Sequence, residues 1–456
     1  MAKAKKVSSK DPCREDRTAL GRQARKDVPR AAHAAWKPPR KRRDPIAIIE
    51  ESNRGRVEKL IPIRYGRMAK SPFAFLRGSA AVMAYDLSHT PITGIRAQLC
   101  GDCHLSNFGL FATPERHLVF DVNDFDETHP GPWEWDLKRL ATSFVVAARD
   151  NNYAEAQAKD FALRVVGAYR DHVHECARMA PIDVWYQRME WQTVIDGIHD
   201  AKSRRVAEAM EMAARKRVIE HLFPKISKTE AGHLRLVDQP PVLFHMSEDD
   251  IGERVRYALA EYRLTLSDDR KVLLDRYHLV DWAIKVVGIG SVGTRCYIML
   301  LMSVDHDPLI LQVKEARTSV LEPYTEPSVY ENQGERVAVG QRLMQSSSDI
   351  FLGWVRGKRG FDFYVRQLRD MKFSAPLERG SADLFLRYAD LCGWTLARAH
   401  AKSGCAASIS GYLGKSDRFD QAMAKFAAAY ADQTERDHEE LVKAIRSGRL
   451  ESLAEE

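Results

Sequence analysis

Residues 100–127 constrain the fold of this chain more than any other stretch. Cys100-Gly101-Asp102-Cys103-His104-Leu105-Ser106-Asn107 is followed, at hairpin distance, by the apolar residues Leu118-Val119-Phe120 and Val122. The run closes in Asn123-Asp124-Phe125-Asp126-Glu127. Asn and Asp are ordinary turn residues, and Asn123-Asp124 alone would read as a surface turn. The apolar run before them should be buried, however, which sets these acids at the edge of a core. Carboxylates brought within about 4 Å of each other repel by about 4 kcal/mol at an effective dielectric of about 20, so such a cluster implies a bound cation or a shared proton.

The oxygen-rich character of these residues points to a hard cation. Magnesium takes oxygen ligands in near-octahedral geometry and is usually held by one or two carboxylates plus substrate phosphates. Asn107 and an acid across the hairpin suit it. Asp102, ahead of Asn107, is placed to accept the proton of an attacking hydroxyl. Together these make the polar layout of a phosphoryl-transfer site, with Asp102 and Asn107 as its catalytic pair. Asp121 and Asp124 are rivals for the second metal ligand, and Asp126 is the least favoured of the three acids.

The same residues spell C-x-x-C-H, the attachment signature of c-type haem and half of a zinc or redox motif. Haem attachment follows export, and Met1-Ala2-Lys3-Ala4-Lys5-Lys6 is not followed by the apolar stretch of a signal peptide. No second C-x-x-C or histidine pair completes a zinc site. The seven cysteines are odd in number without framework spacing, which predicts reduced thiols and a cytoplasmic protein.

A second constellation lies far downstream. Gly288, Gly290, Ser291 and Gly293 sit between two β-rich runs, Val286-Val287 and Cys296-Tyr297-Ile298-Met299-Leu300, and predict a tight strand-loop-strand turn. Glycines there let the backbone approach phosphate oxygens and offer N–H donors. The next strand, Leu309–Ala316, carries Lys314 among apolar residues, where an unpaired ammonium would be costly. In the kinase pattern such a lysine meets the nucleotide phosphates and is held by a Glu on the following helix. Glu335 is the first choice for that partner and Glu331 the second. Arg67 and Arg77 are further phosphate-binding candidates.

Gly101-Asp102-x-His104-x-x-Asn107 resembles the catalytic loop of aminoglycoside and choline kinases, where a metal-binding Asp closes the next strand. Gly131-Pro132-Trp133-Glu134-Trp135-Asp136-Leu137 is similar to the segment that opens their following helix. That resemblance implies Asp136 braces the loop from behind, as a carboxylate near a helix N-terminus accepting backbone N–H groups. Leu396-Ala397-Arg398-Ala399-His400-Ala401 resembles the helix preceding the loop, and Phe361–Leu368 the strand entering the interlobe hinge. Glycine loop and lysine follow the catalytic loop here, whereas an ordinary kinase has the reverse order. The implied fold is α+β, two-lobed, protein-kinase-like and circularly permuted, using ATP and Mg2+. Beyond its N-terminal segment the chain also resembles an uncharacterised bacterial family, domain of unknown function 2252, through Ser71-Pro72-Phe73-x-Phe75-x-Arg77-Gly78, Asn123-Asp124-Phe125-Asp126-Glu127 and Pro132-x-x-Trp135-Asp136.

Charge is unevenly distributed along the 456 residues. Fifteen Lys and Arg against four Asp and Glu in the first 43 give about +11 there, which leaves about −4 for the remainder of a chain of net charge +7. Pro38-Pro39, Arg40-Lys41-Arg42-Arg43 and few apolar residues predict a disordered basic tail over 1–45. A tail of this kind is as readily a solubilising segment as a contact for nucleic acid or anionic lipid, and no nucleic-acid-binding motif favours the second. The expected organisation continues with a catalytic-loop and helical lobe over 46–280 and a β-rich nucleotide lobe over 281–372. C-terminal helices over 373–456 would complete the helical lobe. Leu137, Leu140, Phe144, Val145 and Ala148 form one helical stripe, and Trp185, Tyr186, Met189 and Trp191 read as helix core. No apolar run approaches the roughly 20 residues of a membrane span.

The reading is an ATP- and magnesium-dependent phosphotransferase with a small-molecule hydroxyl acceptor. An AMP transferase on the same fold, a catalytically dead nucleotide-binding regulator and a metal-dependent hydrolase using the Asp cluster are its rivals.

Overall fold

Period-two alternation between 296 and 316 organises one half of the protein. Tyr277–Lys285, Cys296–Ser303 and Pro308–Ala316 form an antiparallel meander. Leu243–Phe244 extends it on one side, and Asp362–Gln367 and then Gly353–Arg356 on the other, giving a six-stranded sheet. Met299, Leu301, Leu309, Leu311 and Val313 face helices Ile251–Leu264 and Asp268–Leu274 through Val255, Tyr262 and Leu274. Ile298, Leu300, Met302 and Ile310 face the other way, onto Leu222, Ile226 and Leu236. Each such burial contributes about 1.5–3 kcal/mol, so a one-residue slip of register is excluded. On this second face the row continues from Ile310 to Gln312 and Lys314, and the register sets Lys314 between Cys296 and Tyr364.

The chain is described by a computed structural model over residues 12–230, 233–245, 251–368, 371–374 and 381–453. The fold is mixed α+β. In the helical half, Trp133–Asp150 is the central element, buried on every side from Trp133 to Ala148. A helix buried all round belongs inside a bundle, and its polar residues find partners there: Asp136 accepts backbone N–H groups, Lys138 donates to Thr90 and Arg139 to Asp102. Glu155–Cys176, Ala382–Ser403 and Arg418–Arg446 surround it. The hairpin Phe108–Ala112 with Leu118–Val122 gains Met189–Glu190 as a third strand. Arg96–Leu99 pairs with His129–Pro132 and brackets the segment between them. Among the described residues no helix is long and apolar enough to cross a membrane.

Three expectations are corrected here. The segment 12–45 is not a disordered tail: Arg14–Asp27 is a helix laid across Ala406–Leu413, so close that a Cβ on Gly21 would stand 1.9 Å from Ser408 O. His33 and Trp36 are buried, and Arg42 bridges the buried carboxylates of Asp86 and Asp437. A few well-placed anchors and small residues at a close crossing outweigh the basic composition. Met1 to Asp11 lie outside the described residues. Second, 219–274 covers both faces of the sheet and belongs with it, not with the helical lobe, and the first long strand begins at Tyr277. Periodicity shows that a helix buries one face, not what it buries it against. Third, Trp185 and Tyr186 are exposed while Trp191 is buried, and Lys402 Nζ stands 4.4 Å from the Trp185 ring centre.

Candidate functional site

The loop after strand Arg96–Leu99 is held by groups behind it. Gly101 turns with φ +83°, and a Cβ there would lie 2.2 Å from Glu127 O, so no other residue fits. Asp136, in the first turn of Trp133–Asp150, accepts the N–H groups of Cys100 (2.8 Å) and Gly101 (3.0 Å). His400 Nε2 stands 3.4 Å from Asp136, and its Nδ1 meets Tyr169 Oη at 2.9 Å.

Asp102 is fixed in turn by Arg139, whose Nε donates to Oδ1 at 2.7 Å while Nη2 also reaches Leu76 O at 2.8 Å. Burial pushes the Asp102 carboxyl up, and Arg139 opposes that shift. Asn107 Nδ2 donates to Asp102 O at 2.7 Å, leaving the amide oxygen as the group it can offer a cation. His104 Nε2 lies 3.7 Å from Asp102 Oδ2. Burial, with Arg77 and Arg139 nearby, holds this imidazole well below its usual range, so it is neutral.

Cys100, Cys103 and Asp136 bring ligand atoms within 4.8 Å of one another. Burial nevertheless pushes the Cys100 thiol far up and the Cys103 thiol up to about 11. Cys100 Sγ donates to Asp136 Oδ2 at 3.3 Å, and that carboxylate already holds two backbone N–H groups. The arrangement is that of protonated, structural thiols.

The three acids of the next turn have different surroundings. Asp121 is buried and receives Arg398 Nη2 (2.6 Å), Ser346 N and Oγ (both 2.7 Å) and its neighbour Val122 N (2.8 Å). Asp124 lines the cleft, one oxygen accepting Asp126 N–H at 3.2 Å. Asp126 is the junction between the two halves. Its Oδ2 receives Lys314 Nζ and Ser291 Oγ (3.0 Å), and its Oδ1 receives Tyr364 Oη (2.8 Å). Burial alone would raise this carboxyl, but Lys314 and Tyr364 outweigh it and hold it at about 2. Lys314, pushed down by burial, is carried above its usual value by Asp124 and Asp126.

Lys314 therefore meets Asp126, where sequence pointed to Glu335 or Glu331. Glu335 sits half-buried in the first turn of Gln333–Met344, its N–H on Asn332 Oδ1 at 3.2 Å. That helix approaches the acidic turn through Arg336 instead, which donates to Asp126 O (2.9 Å) and Arg317 O (2.7 Å). In the glycine loop, Gly288 has φ +67° and its carbonyl accepts from Arg67. Gly293 packs on the Arg56 side chain without lining the cleft, its carbonyl accepting Val57 N–H at 2.8 Å.

Asp102, Asn107, Asp124, Asp126, Gly288, Gly290 and Ser291 line one cavity of about 190 Å³. So do Arg56, Arg64, Arg77 and Arg317, of which sequence reasoning singled out only Arg77. Arg139 and Arg398 were missed as well. Their signal was present: each is a cation inside an apolar helical run, where it needs a buried anion.

A family model described as "Uncharacterized protein conserved in bacteria (DUF2252)" matches residues 56–444, and the chain belongs to that family. No curated protein and no solved structure matches it.

Proposed function

We propose that the protein is an ATP- and magnesium-dependent phosphotransferase of protein-kinase-like, circularly permuted architecture, acting on a hydroxyl of a small molecule. The observation that carries this reading is Asp126. A lysine from the third strand of a glycine-loop sheet, a serine of that loop and the acidic turn beside Asp102 and Asn107 all converge on it. A glycine loop between the first two strands of a meander and a lysine on the third is the layout that holds nucleotide phosphates in kinases.

The donors fit magnesium: the Asn107 amide oxygen and the Asp124 carboxylate are hard oxygens, and among the described residues His104 is the one imidazole in the cavity lining. Magnesium, when bound, would neutralise charge on the phosphates. Asp102 would orient the acceptor hydroxyl and take its proton at Oδ2, while Arg139 fixes Oδ1. Burial favours the protonated product state of that carboxyl. The glycine loop would offer backbone N–H groups to phosphate oxygens, and Lys314 would move between Asp126 and the phosphates. Positioning and charge neutralisation then supply most of the acceleration.

Thermal shift with ATP, with and without Mg2+, on wild type, Lys314→Ala and Asp124→Ala tests the reading. Ligand at about 100 times Kd should stabilise wild type by roughly 2.7 kcal/mol. A magnesium-dependent shift lost in both variants supports it, and ADP as the product separates phosphate transfer from AMP transfer. Folded wild-type protein without any shift overturns it.

A further inference from the structure

One side of the cleft is basic, and neither metal nor lysine accounts for it. Arg64 is 2% exposed; Nη1 donates to Asn53 Oδ1 and Ser52 Oγ (3.3 Å), Nη2 to Gly78 O (2.7 Å), and its buried Nε has no partner. Arg56 gives Nε to Ser52 O (3.1 Å) and Nη1 to Val292 O (2.6 Å). Arg317 gives Nη1 to Ser52 O (2.8 Å) and Nη2 to Arg54 O. Every one of these acceptors is neutral. The guanidinium groups are oriented by neutral atoms, and the carboxylates that act on them through space are Glu127 and, for Arg56, Glu315.

The carboxylates of the cleft are largely committed elsewhere. Asp102 is paired with Arg139, Asp126 with Lys314, and Glu315 with Arg295 at 3.1 Å. Asp124 belongs to the metal side, which leaves Glu127 opposite the arginines, one oxygen on Val320 N–H at 2.8 Å. Like charge accumulates accordingly. Burial and the neighbouring Arg64 and Arg317 pull Arg56 well below its usual range. Burial, with Arg317, brings Arg64 down to about 10. Three guanidinium groups gathered on one side of a cleft, Arg64 buried and Arg56 and Arg317 half-buried, call for an oxyanion, which Arg recognises through its planar fork of donors.

We propose that Arg56, Arg64 and Arg317 form an oxyanion pocket for a phosphate group, carried either by the nucleotide or as a phosphate ester by the acceptor. Naming those two sources rests on the phosphotransfer reading; the pocket itself does not. The same charge disfavours an acceptor that presents an amine or quaternary ammonium here.

Inorganic phosphate and pyrophosphate, titrated calorimetrically into the full chain in EDTA, test the pocket. Saturable binding to wild type and to Asp124→Asn, weakened about tenfold or more in Arg56→Gln and Arg317→Gln of native circular dichroism, is the expected result. Arg64→Gln enters only if it folds, since Arg64 also holds Gly78. Pyrophosphate that competes with Mg-ATP assigns the pocket to the nucleotide; phosphate that binds beside Mg-ATP assigns it to the acceptor. No saturable binding to wild type, or unchanged binding in both folded variants, overturns the proposal. Phosphate binding without any Mg-ATP binding would keep the pocket and remove the phosphotransfer reading, and the reverse pattern would do the opposite.

Discussion

Lys314 and Asp126 are 188 residues apart in sequence and form an ion pair in which the lysine is 3% exposed. The pair ties the sheet to the acidic turn beside Asp102 and Asn107. It also explains how a lysine can sit in a buried strand at all.

Removing the lysine leaves Asp126 facing burial without its cation. Lys314→Ala should cost about 3 kcal/mol, the lower end for breaking a buried pair because Asp126 is a quarter exposed. Lys314→Ala with Asp126→Asn should recover part of that loss. Urea unfolding of the four proteins, read as a double-mutant cycle, measures it.

Asp121 and Asp124 should separate cleanly. Asp121→Asn weakens a pair with Arg398 in which both side chains are 1% exposed, and should lower stability by roughly 3 kcal/mol while leaving the magnesium dependence of ATP binding intact. Asp124→Asn should do the reverse, with near-native stability and no magnesium dependence. Melting curves with and without Mg-ATP decide between the two acids.

Acid should act on the protein through its buried histidines. His33 is buried with Nε2 at 2.8 Å from Tyr412 Oη, and burial holds it down to about 3. A folded-state value below the unfolded one contributes stability that is full above about pH 6.5 and declines toward about pH 3, by about 1.4 kcal/mol per pH unit. His104 is shifted in the same direction. Asp420, whose carboxyl burial raises to about 6, acts in the opposite direction, so the test is the difference between two proteins: from pH 7 to 4.5 the melting temperature of wild type should fall more, or rise less, than that of His33→Phe.

The N-terminal segment should be a structural part of the protein despite its charge. Arg42→Met leaves the carboxylates of Asp86 and Asp437 buried without a cation, and should cost about 3 kcal/mol. Truncation after Arg43 should destabilise more, because Trp36 and the helix on Ala406–Leu413 are lost too. Denaturant unfolding of both proteins checks this; a truncated chain as stable as the whole would show the segment to be passive.

The sequence by itself determined local placement. The spacing of Asp102, Asn107 and the acidic turn, the glycines at 288–293, Lys314 in an apolar strand and the stripe from Leu137 to Ala148 could all be read from residue type and period, because each is fixed within a few residues of backbone. Asp136 behind the loop was likewise legible through a resemblance. Tertiary structure decided which charges meet. Lys314 found Asp126 and not Glu335, Arg398 took Asp121 out of the cleft, and Arg56, Arg64 and Arg317 entered it from distant segments. Ion pairing has no period and acts through space, so a sequence shows that a buried charge needs a partner without showing which one. The same limit hid the order of the basic N-terminal segment, whose Gly21 and Arg42 acquire meaning only against Ser408, Asp86 and Asp437.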